Sequence, residues 1–219
     1  MTIEDPVEYK IKGIAQIAVH PKIGLSFAQG LRHILRQDPD SIMIGEIRDS
    51  ETAEIAIQAA LTGHLVLSTL HTNDAPSAIP RLIDMGIEPY LLSSTIMGVL
   101  AQRLVRKVCP NCRERYAPEP AELQELDLQA SKLNGKSLYR GKGCKQCFGS
   151  GYKGRHGIYE LMVMTPALRS YIAKNADATE LRKLCIAAGM PTLRQHGTHL
   201  VRAGITTVSE VVRVSGKYD

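Results

Sequence analysis

Ser41-Ile-Met-Ile-Gly-Glu-Ile-Arg-Asp49 is a short apolar run that ends in acidic residues. Its core, Ile42–Ile44, is too short for a helix and is rich in strand-forming residues, so it predicts a buried β-strand. In α/β nucleotidases, a buried strand with a carboxylate at its C-terminal end holds Mg²⁺ near a phosphate. Glu46 occupies that position here and is a candidate catalytic residue.

A second strand of the same kind is predicted at the start of the chain. Met1-Thr2-Ile3 leads directly to Glu4 and Asp5, and Pro6 then ends the strand. Two such strands side by side would form a cleft that binds a metal ion and water. Because a domain rarely begins inside its own core strand, we expect the chain to be truncated at its N-terminus.

The first hundred residues alternate between strand and helix patterns. The predicted elements are an edge strand Val7–Ile11, a helix Phe27–Gln37 that Ser26 opens, the strand Ser41–Ile44, a helix Ser50–Leu61 capped by Asp49 or Ser50, a strand Leu65–Leu70 and a helix capped by Asn73 or Asp74. This alternation predicts an α/β fold with a parallel sheet and crossover helices. Functional groups should then gather at the C-terminal strand ends, at Glu4, Glu46 and His71.

The second half of the sequence is different in character. Leu91–Val108 is predicted as a long helix with a basic end, and 109–157 is loop-rich with four cysteines. Helical patterns return from Leu161, with capping signals at Thr165, at Asp177 with Glu180 and at Thr207 with Glu210. We therefore predict an α/β core over 1–108, a cysteine-containing subdomain over 109–157 and a helical region over 158–219.

Composition sets broad limits on function. The chain has 219 residues, 44% hydrophobic and 22% charged, which is typical of a soluble globular protein. Its net charge of +5 weakly suggests an acidic partner. No run of 18 apolar residues and no signal peptide are present, so we expect a cytoplasmic protein whose paired cysteines bind metal.

Two C-x₂-C pairs, Cys109 with Cys112 and Cys144 with Cys147, are separated by 31 residues. Two thiolates on one tight turn can face the same ion, and two such turns complete a tetrahedron. Four sulfur ligands leave no open position, so the pattern predicts a structural Zn²⁺ site. Unligated thiols and redox C-x-x-C chemistry are the alternatives. Cys185 lies in a helical pattern and is predicted to be an ordinary core residue.

Other polar residues are candidates for nucleotide binding. His64 and His71 bracket the predicted strand Leu65–Leu70, and strand periodicity allows at most one of them to face a shared site unless the backbone bends. Arg32, Arg36 and Arg48 are candidate phosphate ligands because a planar guanidinium fits two oxygens at once. A solvated or salt-bridged surface role is the alternative for all of them.

The pattern G-x₄-G-K-[ST] does not occur in these 219 residues. That loop supplies the backbone N–H groups and the lysine that hold the β- and γ-phosphates of a nucleotide. Without it, a cleft formed by carboxylates should bind nucleotide poorly.

Several motifs resemble those of the secretion ATPase superfamily. The segment 2–8 resembles its Asp box, Gly45–Asp49 its atypical Walker B motif, and 62–74 its His box. The paired cysteines followed by Gly154-Arg-His-Gly-Ile-Tyr-Glu160 resemble the tetracysteine zinc region of the assembly branch. Within the superfamily, Leu91–Arg106 is most like the type II secretion ATPases of the GspE/PulE type. Type IV pilus-extension ATPases are the alternative.

The resemblance implies a truncated RecA-like P-loop NTPase core in a homo-hexameric motor that uses ATP, Mg²⁺ and Zn²⁺. Such a motor lies on the cytoplasmic face of the inner membrane. There it moves platform and adaptor proteins so that pilin-like subunits are added. Since the phosphate loop is missing, we expect this chain alone to have little or no ATPase activity and to form no hexamer on its own.

The resemblance also implies roles for individual residues. Glu4 matches the glutamate that polarises the attacking water, Glu46 matches the Walker B acid that supports Mg²⁺, and His71 matches the histidine near the γ-phosphate. The remaining candidate cofactor-binding residues are Asp5, Arg48, His64, Arg32 and Arg36.

Two other classes of function compete with the motor. A non-enzymatic zinc module that docks protein or nucleic acid would explain the cysteines and the basic charge. Nucleic acid is not expected as a partner, because the chain has two Phe, no Trp and little interleaving of aromatic and basic residues. A RecA-type recombinase or helicase would share the nucleotide fold but would leave the four cysteines unexplained.

Overall fold

A computed structural model describes residues 1–126, 137–174 and 177–216. The chain divides into two compact units. The first unit combines Met1–Val99 with Val163–Cys185, and the second combines Leu100–Met162 with Ile186–Asp219. The predicted three-part division, of which 127–136 lie outside the described residues, stays a prediction.

Most strands within the described ranges have three or four residues, and only the strands Gly98–Val108 and Tyr152–Val163 are longer, with 11 and 12 residues. They are β1 Thr2–Glu4, β2 Gln16–Ala18, β3 Ser41–Ile44, β4 Leu65–Ser68, β5 Gly98–Val108, β6 Arg113–Tyr116, β7 Leu138–Gly141 and β8 Tyr152–Val163. Strands β1 to β4 form one sheet in the order β2-β1-β3-β4, and every pairing in it is parallel. The predicted α/β fold with a parallel sheet is confirmed.

The α-helices of the described ranges follow the same chain order. They are α1 Phe27–Leu35, α2 Ser50–Leu61, α3 Ala78–Asp84, α4 Pro89–Thr95, α5 Pro120–Glu125, α6 Pro166–Ile172, α7 Ala178–Ala187, α8 Leu193–Arg202 and α9 Val208–Ser215. The predicted caps are present where hydroxyl or carboxylate oxygens accept a backbone N–H, at Ser26, Asp49, Thr165, Asp177 and Thr207. No helix in the described part is long and apolar enough to cross a membrane.

The first unit is packed around the two central strands. Ile3, Ile42 and Ile44 are fully or almost fully buried, and α1 packs against their strands, β1 and β3. Gly30 lets α1 approach β1 closely, because a Cβ at that position would collide with the Ile3 side chain. The close contact fixes β1 beside β3, so the C-terminal ends of these strands lie at one edge of the sheet.

The second unit contains two small sheets and its own core. Strand β5 pairs with β8, and β6 pairs with β7 in antiparallel register, with Arg113 opposite Gly141. The buried side chains form one cluster that comprises Val105, Leu123, Leu126, Leu138, Ile158, Leu193, Leu200, Val201, Val208 and Val211. Strands and C-terminal helices therefore share a single core in this unit.

The predicted helix over Leu91–Val108 is wrong. Helix α4 ends at Thr95, and Gly98–Val108 forms the long strand β5. The buried residues of β5, at 101, 105 and 108, also fit the spacing of a helix face. Pairing with the distant strand β8 decides the outcome, and β8 itself carries strand structure to Val163 where helix was predicted.

The predicted edge strand Val7–Ile11 is also wrong, because β2 forms at Gln16–Ala18 instead. Tyr9 and Ile11 are 81% and 53% exposed, so no core covers the apolar positions of the predicted strand. Likewise, neither Asn73 nor Asp74 is the N-cap of α3, which follows Ser77. Asp74 accepts a hydrogen bond from the Ser77 N–H at 2.8 Å and closes the turn before the helix.

Candidate active site and metal centre

The two acid-bearing strand ends lie next to each other. The N–H of Gly45 donates to the Ile3 carbonyl at 2.7 Å, directly after the last paired residues of β1 and β3. A Cβ on Gly45 would lie 3.3 Å from the Glu4 Cα, so the backbone of Glu4 passes beside Gly45. Parallel pairing therefore brings Glu4 to the same edge as Glu46, the residue after Gly45.

Glu46 is held between two cationic or hydrogen-bonding groups. Its Oε1 accepts from Arg48 Nη2 at 2.5 Å, and its Oε2 lies 3.2 Å from His71 Nε2. The Glu46 side chain is 12% exposed. The Arg48 hydrogen bond lowers the pKa of Glu46, burial opposes this change, and His71 adds to it. The carboxylate is consequently ionised at neutral pH, as a metal ligand must be.

Glu4 is held by neutral hydrogen-bond donors. Its Oε1 accepts from Thr2 Oγ1 at 2.6 Å and from Gln16 Nε2 at 2.9 Å. The Thr2 bond, followed by the Gln16 bond, lowers the pKa of Glu4. The pKa of the Arg48 guanidinium is raised mainly by Glu46, and the negative charge of Asp5 raises it further. Glu4 and Asp5 therefore belong to the same edge as the Glu46 cluster.

The loop after β4 places His71 near Glu46. Thr69 anchors this loop, because its Oγ1 donates to the Gly45 carbonyl at 2.5 Å and its own carbonyl accepts from the Ile47 N–H at 3.0 Å. The His71 side chain is 85% exposed, so the ring can meet a ligand that approaches from solvent. Thr69 was not predicted, although its position at the end of a strand between two histidines is a usable signal.

His64 lies at a different place. Its Nδ1 is 3.0 Å from the Ala59 carbonyl and 3.1 Å from Thr62 Oγ1, at the C-terminal end of α2. These contacts tie the start of β4 to the helix before it. Of the two histidines that bracket the strand, the structure brings His71 to Glu46 and places His64 at this helix end.

Two of the candidate arginines project from α1. Arg32 forms an ion pair with Glu51 of α2 at 2.8 Å, and Arg36 Nη2 lies 2.7 Å from His33 Nδ1. The Arg32 side chain is 48% exposed. These arginines contact helices, while Arg48 alone of the three contacts Glu46.

A buried ion pair supports the loop that follows His71. Asp74 is 4% exposed and pairs with Arg182 of α7. The same loop is braced by Thr72 Oγ1, which donates to the Asp74 carbonyl at 3.0 Å. Sequence analysis missed Arg182, since nothing in a helical pattern so far along the chain marks a partner for Asp74.

The four cysteines of the two C-x₂-C pairs form one cluster. All their sulfurs lie within 4.8 Å of one another, and three of the separations are 3.9 Å, 3.8 Å and 3.7 Å. Four sulfurs bound tetrahedrally at about 2.3 Å from one zinc ion would be about 3.8 Å apart. The donor set and its spacing therefore fit a metal ion of the Zn²⁺ kind.

Local backbone geometry brings the two cysteine turns together. The Cys109 N–H donates to the Gly151 carbonyl at 2.9 Å, and the Lys142 N–H donates to the Cys112 carbonyl at 3.1 Å. Gly141 is required at this crossing, because a Cβ there would collide with the backbone of Gly151. The pairing of β6 with β7 extends the same alignment away from the cluster.

Backbone N–H groups also point at one sulfur. Cys147 Sγ accepts from the N–H of Cys144 at 3.1 Å and from the N–H of Gly151 at 3.3 Å. Burial opposes ionisation, yet these backbone bonds lower the pKa of the Cys147 thiol to about 6. Such donors stabilise a metal-bound thiolate by hydrogen bonding to it from the second shell of the site.

Comparison with known proteins identifies similar chains over almost the whole length. A family model described as type II/IV secretion system protein matches residues 1–213. The type IV pilus assembly ATPase PilB of Thermus thermophilus is 54% identical over 96% of this chain and 24% of its own length. The type II secretion system protein E of Pseudomonas aeruginosa is 53% identical over 98% of this chain and 42% of its own length.

Solved structures agree with the sequence comparison. The pilus retraction motor PilT with bound ADP superposes with a TM-score of 0.68 at 30% identity, covering 99% of this chain and 52% of that one. The ATPase DotB of Yersinia pseudotuberculosis gives a TM-score of 0.69 at 26% identity and is covered over 48% of its length. The chain thus spans about half or less of each of these proteins.

Proposed function

Because the chain belongs to the type II/IV secretion system protein family, we propose that it is the C-terminal portion of a motor ATPase. In this proposal the complete protein couples ATP hydrolysis to pseudopilus assembly and protein export in type II secretion. Assembly of a type IV pilus is the alternative, since the relatives of both kinds are 53% and 54% identical to the chain.

The observation that carries the proposal is the carboxylate of Glu46 at the sheet edge. It is ionised, mostly shielded from solvent and 3.2 Å from His71, at the sheet edge to which Glu4 also belongs. In this role Glu46 would support Mg²⁺, and Glu4 would polarise the attacking water. Mg²⁺ would neutralise charge that develops on the phosphates during transfer.

Arg48 and His71 would tune and complete this site. The hydrogen bond from Arg48 lowers the pKa of Glu46. When nucleotide binds, the Arg48 guanidinium would leave Glu46 and bind phosphate oxygens. The exposed His71 would contact the terminal phosphate. Arg32, Arg36, His64 and Asp5 stay proposals for cofactor binding or for contacts between subunits.

The 219-residue chain and the complete protein are expected to differ in ATPase activity and in assembly. The 219 residues contain no G-x₄-G-K-[ST] loop to hold the β- and γ-phosphates. The chain on its own should therefore show little or no ATP turnover and form no stable hexamer. In the complete protein we propose a homo-hexamer at the cytoplasmic face of the inner membrane, bound to platform and adaptor proteins of the machine.

The cysteine cluster has a separate role in this proposal. Its four sulfurs would hold Zn²⁺ with no position left for water or substrate, so the ion would be structural. The ion would fix the turns at Cys109 and Cys144 on which β6, β7 and β8 depend. Chemistry is accordingly assigned to the Glu46 edge alone.

A test of the motor assignment is the substitution Glu46→Gln in the complete protein. Loss of the charge should lower kcat for Mg-ATP hydrolysis by at least about 100-fold while nucleotide binding persists. The matched control is Glu54→Gln, which removes an exposed carboxylate from the outer face of α2. Phosphate release by the complete protein and by the 219-residue chain would be measured with the same assay.

The outcomes are distinct. Unchanged turnover in Glu46→Gln would remove the proposed role of this carboxylate, and robust turnover by the 219-residue chain would contradict the need for a separate phosphate loop.

The choice of machine needs a second assay, in which the complete gene is placed in strains that lack either the secretion or the pilus-assembly ATPase. Rescue of protein export but not of pilus extension would support the type II assignment.

A further inference from the structure

A small pocket in the second unit is basic around its opening and apolar at its floor. Its volume is about 310 Å³, which is at the lower end of the range for ligand sites. The lining residues are Lys107, Val108, Pro110, Arg113, Lys153, Gly204 and Ile205. Pro110 belongs to the first cysteine turn, so the pocket lies beside the metal centre.

The positive charge of this pocket is not neutralised by the ion pairs of the described residues. Lys107, Arg113 and Lys153 take part in none of them. The neighbouring acid Glu114 is already shared by Arg140 and Lys142, each at 2.9 Å. The pocket therefore offers three cations to an incoming anionic group.

Arg113 is held in place before any partner arrives. Its guanidinium lies 3.6 Å from the centre of the Tyr139 ring, a cation–π contact. Gly204 lies against both the Arg113 guanidinium and the Tyr139 ring. Its φ is +70°, and a Cβ there would lie only 2.5 Å from Tyr139 Cδ2 and would collide with the guanidinium. A planar fork fixed in this way can meet a carboxylate with two hydrogen bonds at little entropic cost.

The apolar floor is equally fixed. The Val108 N–H donates to the Ile205 carbonyl at 2.8 Å, which joins the end of β5 to the turn between α8 and α9. Pro110 follows Cys109, whose N–H is bonded to the Gly151 carbonyl. A ligand that satisfied only the cations would leave this floor in water, so the floor favours a ligand with apolar atoms next to its charge.

We propose that this pocket docks an acidic segment of a partner protein, with a carboxylate at Arg113 and an apolar neighbour against Val108 and Ile205. A bare phosphate lacks the apolar part. Anionic lipid headgroups would meet the exposed Lys107 and Lys153, but they carry no apolar atoms next to their charge and would leave Val108 and Ile205 uncovered. The mixture of three cations with a small apolar floor matches alternating acidic and leucine side chains.

The test uses the complete, metal-loaded protein and a fluorescein-labelled peptide of alternating acidic and leucine residues, Asp-Leu-Glu-Leu-Asp-Leu. Binding is measured by fluorescence anisotropy as a function of salt. The double variant Lys107→Gln/Lys153→Gln and the single variant Arg113→Gln should each weaken binding by at least about tenfold. The matched control Lys10→Gln/Lys12→Gln removes two exposed charges from the first unit and should change binding by less than about twofold.

Further arms separate the possible ligands. The Asn-Leu-Gln version of the peptide should not bind, and methyl signals of Val108 and Ile205 should shift only with the acidic peptide. Equal weakening by the control variant, equal binding of the amide peptide, or no shift of these methyl signals would overturn the proposal. Saturable binding of inorganic pyrophosphate or of phosphatidylglycerol vesicles at the same three cations, without peptide binding, would overturn it as well.

Discussion

The sheet edge of the first unit and the cysteine cluster of the second unit gather polar side chains in opposite ways. Glu4, Glu46 and His71 come from three separate strand ends; Glu46 contacts His71, and Glu4 lies at the same sheet edge because the strands are parallel and adjacent. The four cysteines come from two tight turns whose sulfurs already stand at the spacing of metal ligands. The first arrangement is open to solvent at His71, whereas the second would enclose one metal ion.

The two sites are expected to contribute differently to the stability of the fold. The Glu46 cluster consists of contacts to exposed side chains, with Arg48 63% and His71 85% exposed. Such contacts contribute little to folding and remain available for exchange with a ligand. The cysteine cluster would couple metal binding directly to the folding of its own unit. Substitutions should therefore affect stability strongly near the cluster and weakly near the edge.

The largest effect is expected for Cys109→Ser. Removing one of four ligands should abolish stoichiometric Zn²⁺ binding, and structural zinc contributes on the order of 10 kcal/mol in zinc-finger peptides. Metal content by mass spectrometry and hydrogen exchange of β6, β7 and β8 would measure the loss. Cys185→Ala is the matched control, because Cys185 is buried in α7 outside the cluster and should leave metal content unchanged. Full zinc content in Cys109→Ser would contradict the structural site.

The next effect is expected for Glu210→Gln, which tests the second unit away from the metal. Glu210 is 1% exposed and pairs with Arg106 at 2.7 Å and with Arg213 at 2.9 Å. Losing this charge should lower the free energy of unfolding by about 3 kcal/mol at pH 7. Urea denaturation gives the value, and Ser209→Ala on the exposed side of α9 is the control.

The pH dependence of this difference has a defined sign. Burial opposes ionisation, but the bonds from Arg213 and Arg106 lower the pKa of Glu210 to about 2. A lowered pKa in the folded state adds stability above the unfolded-state value, near 4.3, and this contribution is lost as the pH falls toward 2. The gap between wild type and Glu210→Gln should stay constant above about pH 5 and shrink below it. A gap that widened on acidification would contradict the assignment.

A smaller effect is expected for Asp49→Ala in the first unit. Asp49 caps α2 by accepting the Thr52 N–H at 2.8 Å and the Thr52 hydroxyl at 3.1 Å. Loss of this cap should lower the free energy of unfolding by about 1–2 kcal/mol. Asp49→Ser, which retains a capping oxygen, should recover most of the loss when both variants are compared by thermal unfolding. Equal destabilisation by Ala and Ser would argue against the capping role.

The smallest effect is expected for Glu51→Gln, which breaks the ion pair with Arg32 between α2 and α1. The two side chains are 58% and 48% exposed, and such pairs contribute at most about 1 kcal/mol. The change in unfolding free energy should diminish further in 1 M salt. A loss as large as that of Glu210→Gln would show that exposed ion pairs of the first unit are not weak, and the comparison of the two units would fail.

Much of the fold follows from local signals. The strand over 41–44, the helix over 50–61 and the caps at Ser26, Thr165 and Thr207 form as predicted. The spacing of the two C-x₂-C pairs correctly predicted that the four cysteines cluster, because the spacing of ligands on a turn is a local property. Glu4 and Glu46 were predicted at one edge because alternation of strands and helices implies a parallel sheet.

The pairing of strands that are distant in the chain could not be predicted from these local signals. The segment 98–108 contains good helix formers and buried positions at helical spacing, yet it pairs with β8 as a strand. Val7–Ile11 alternates like a strand, yet Gln16–Ala18 takes the place beside β1. In both cases the competing structures have similar intrinsic preference, and the partner strand makes the difference.

The sequence by itself determined where the candidate carboxylates and cysteines lie along the chain, because carboxylates after apolar strands and cysteines on paired turns are local patterns. Only the tertiary structure decided which of these residues meet: His71 rather than His64 lies at Glu46, and Arg182 supports Asp74 from a distant helix. Tertiary structure also created the basic pocket beside the cysteines, from residues as far apart as Lys107 and Ile205. The physical reason is that hydrogen-bonded turns and caps are specified within a few residues, whereas contacts across the chain depend on how complete surfaces pack.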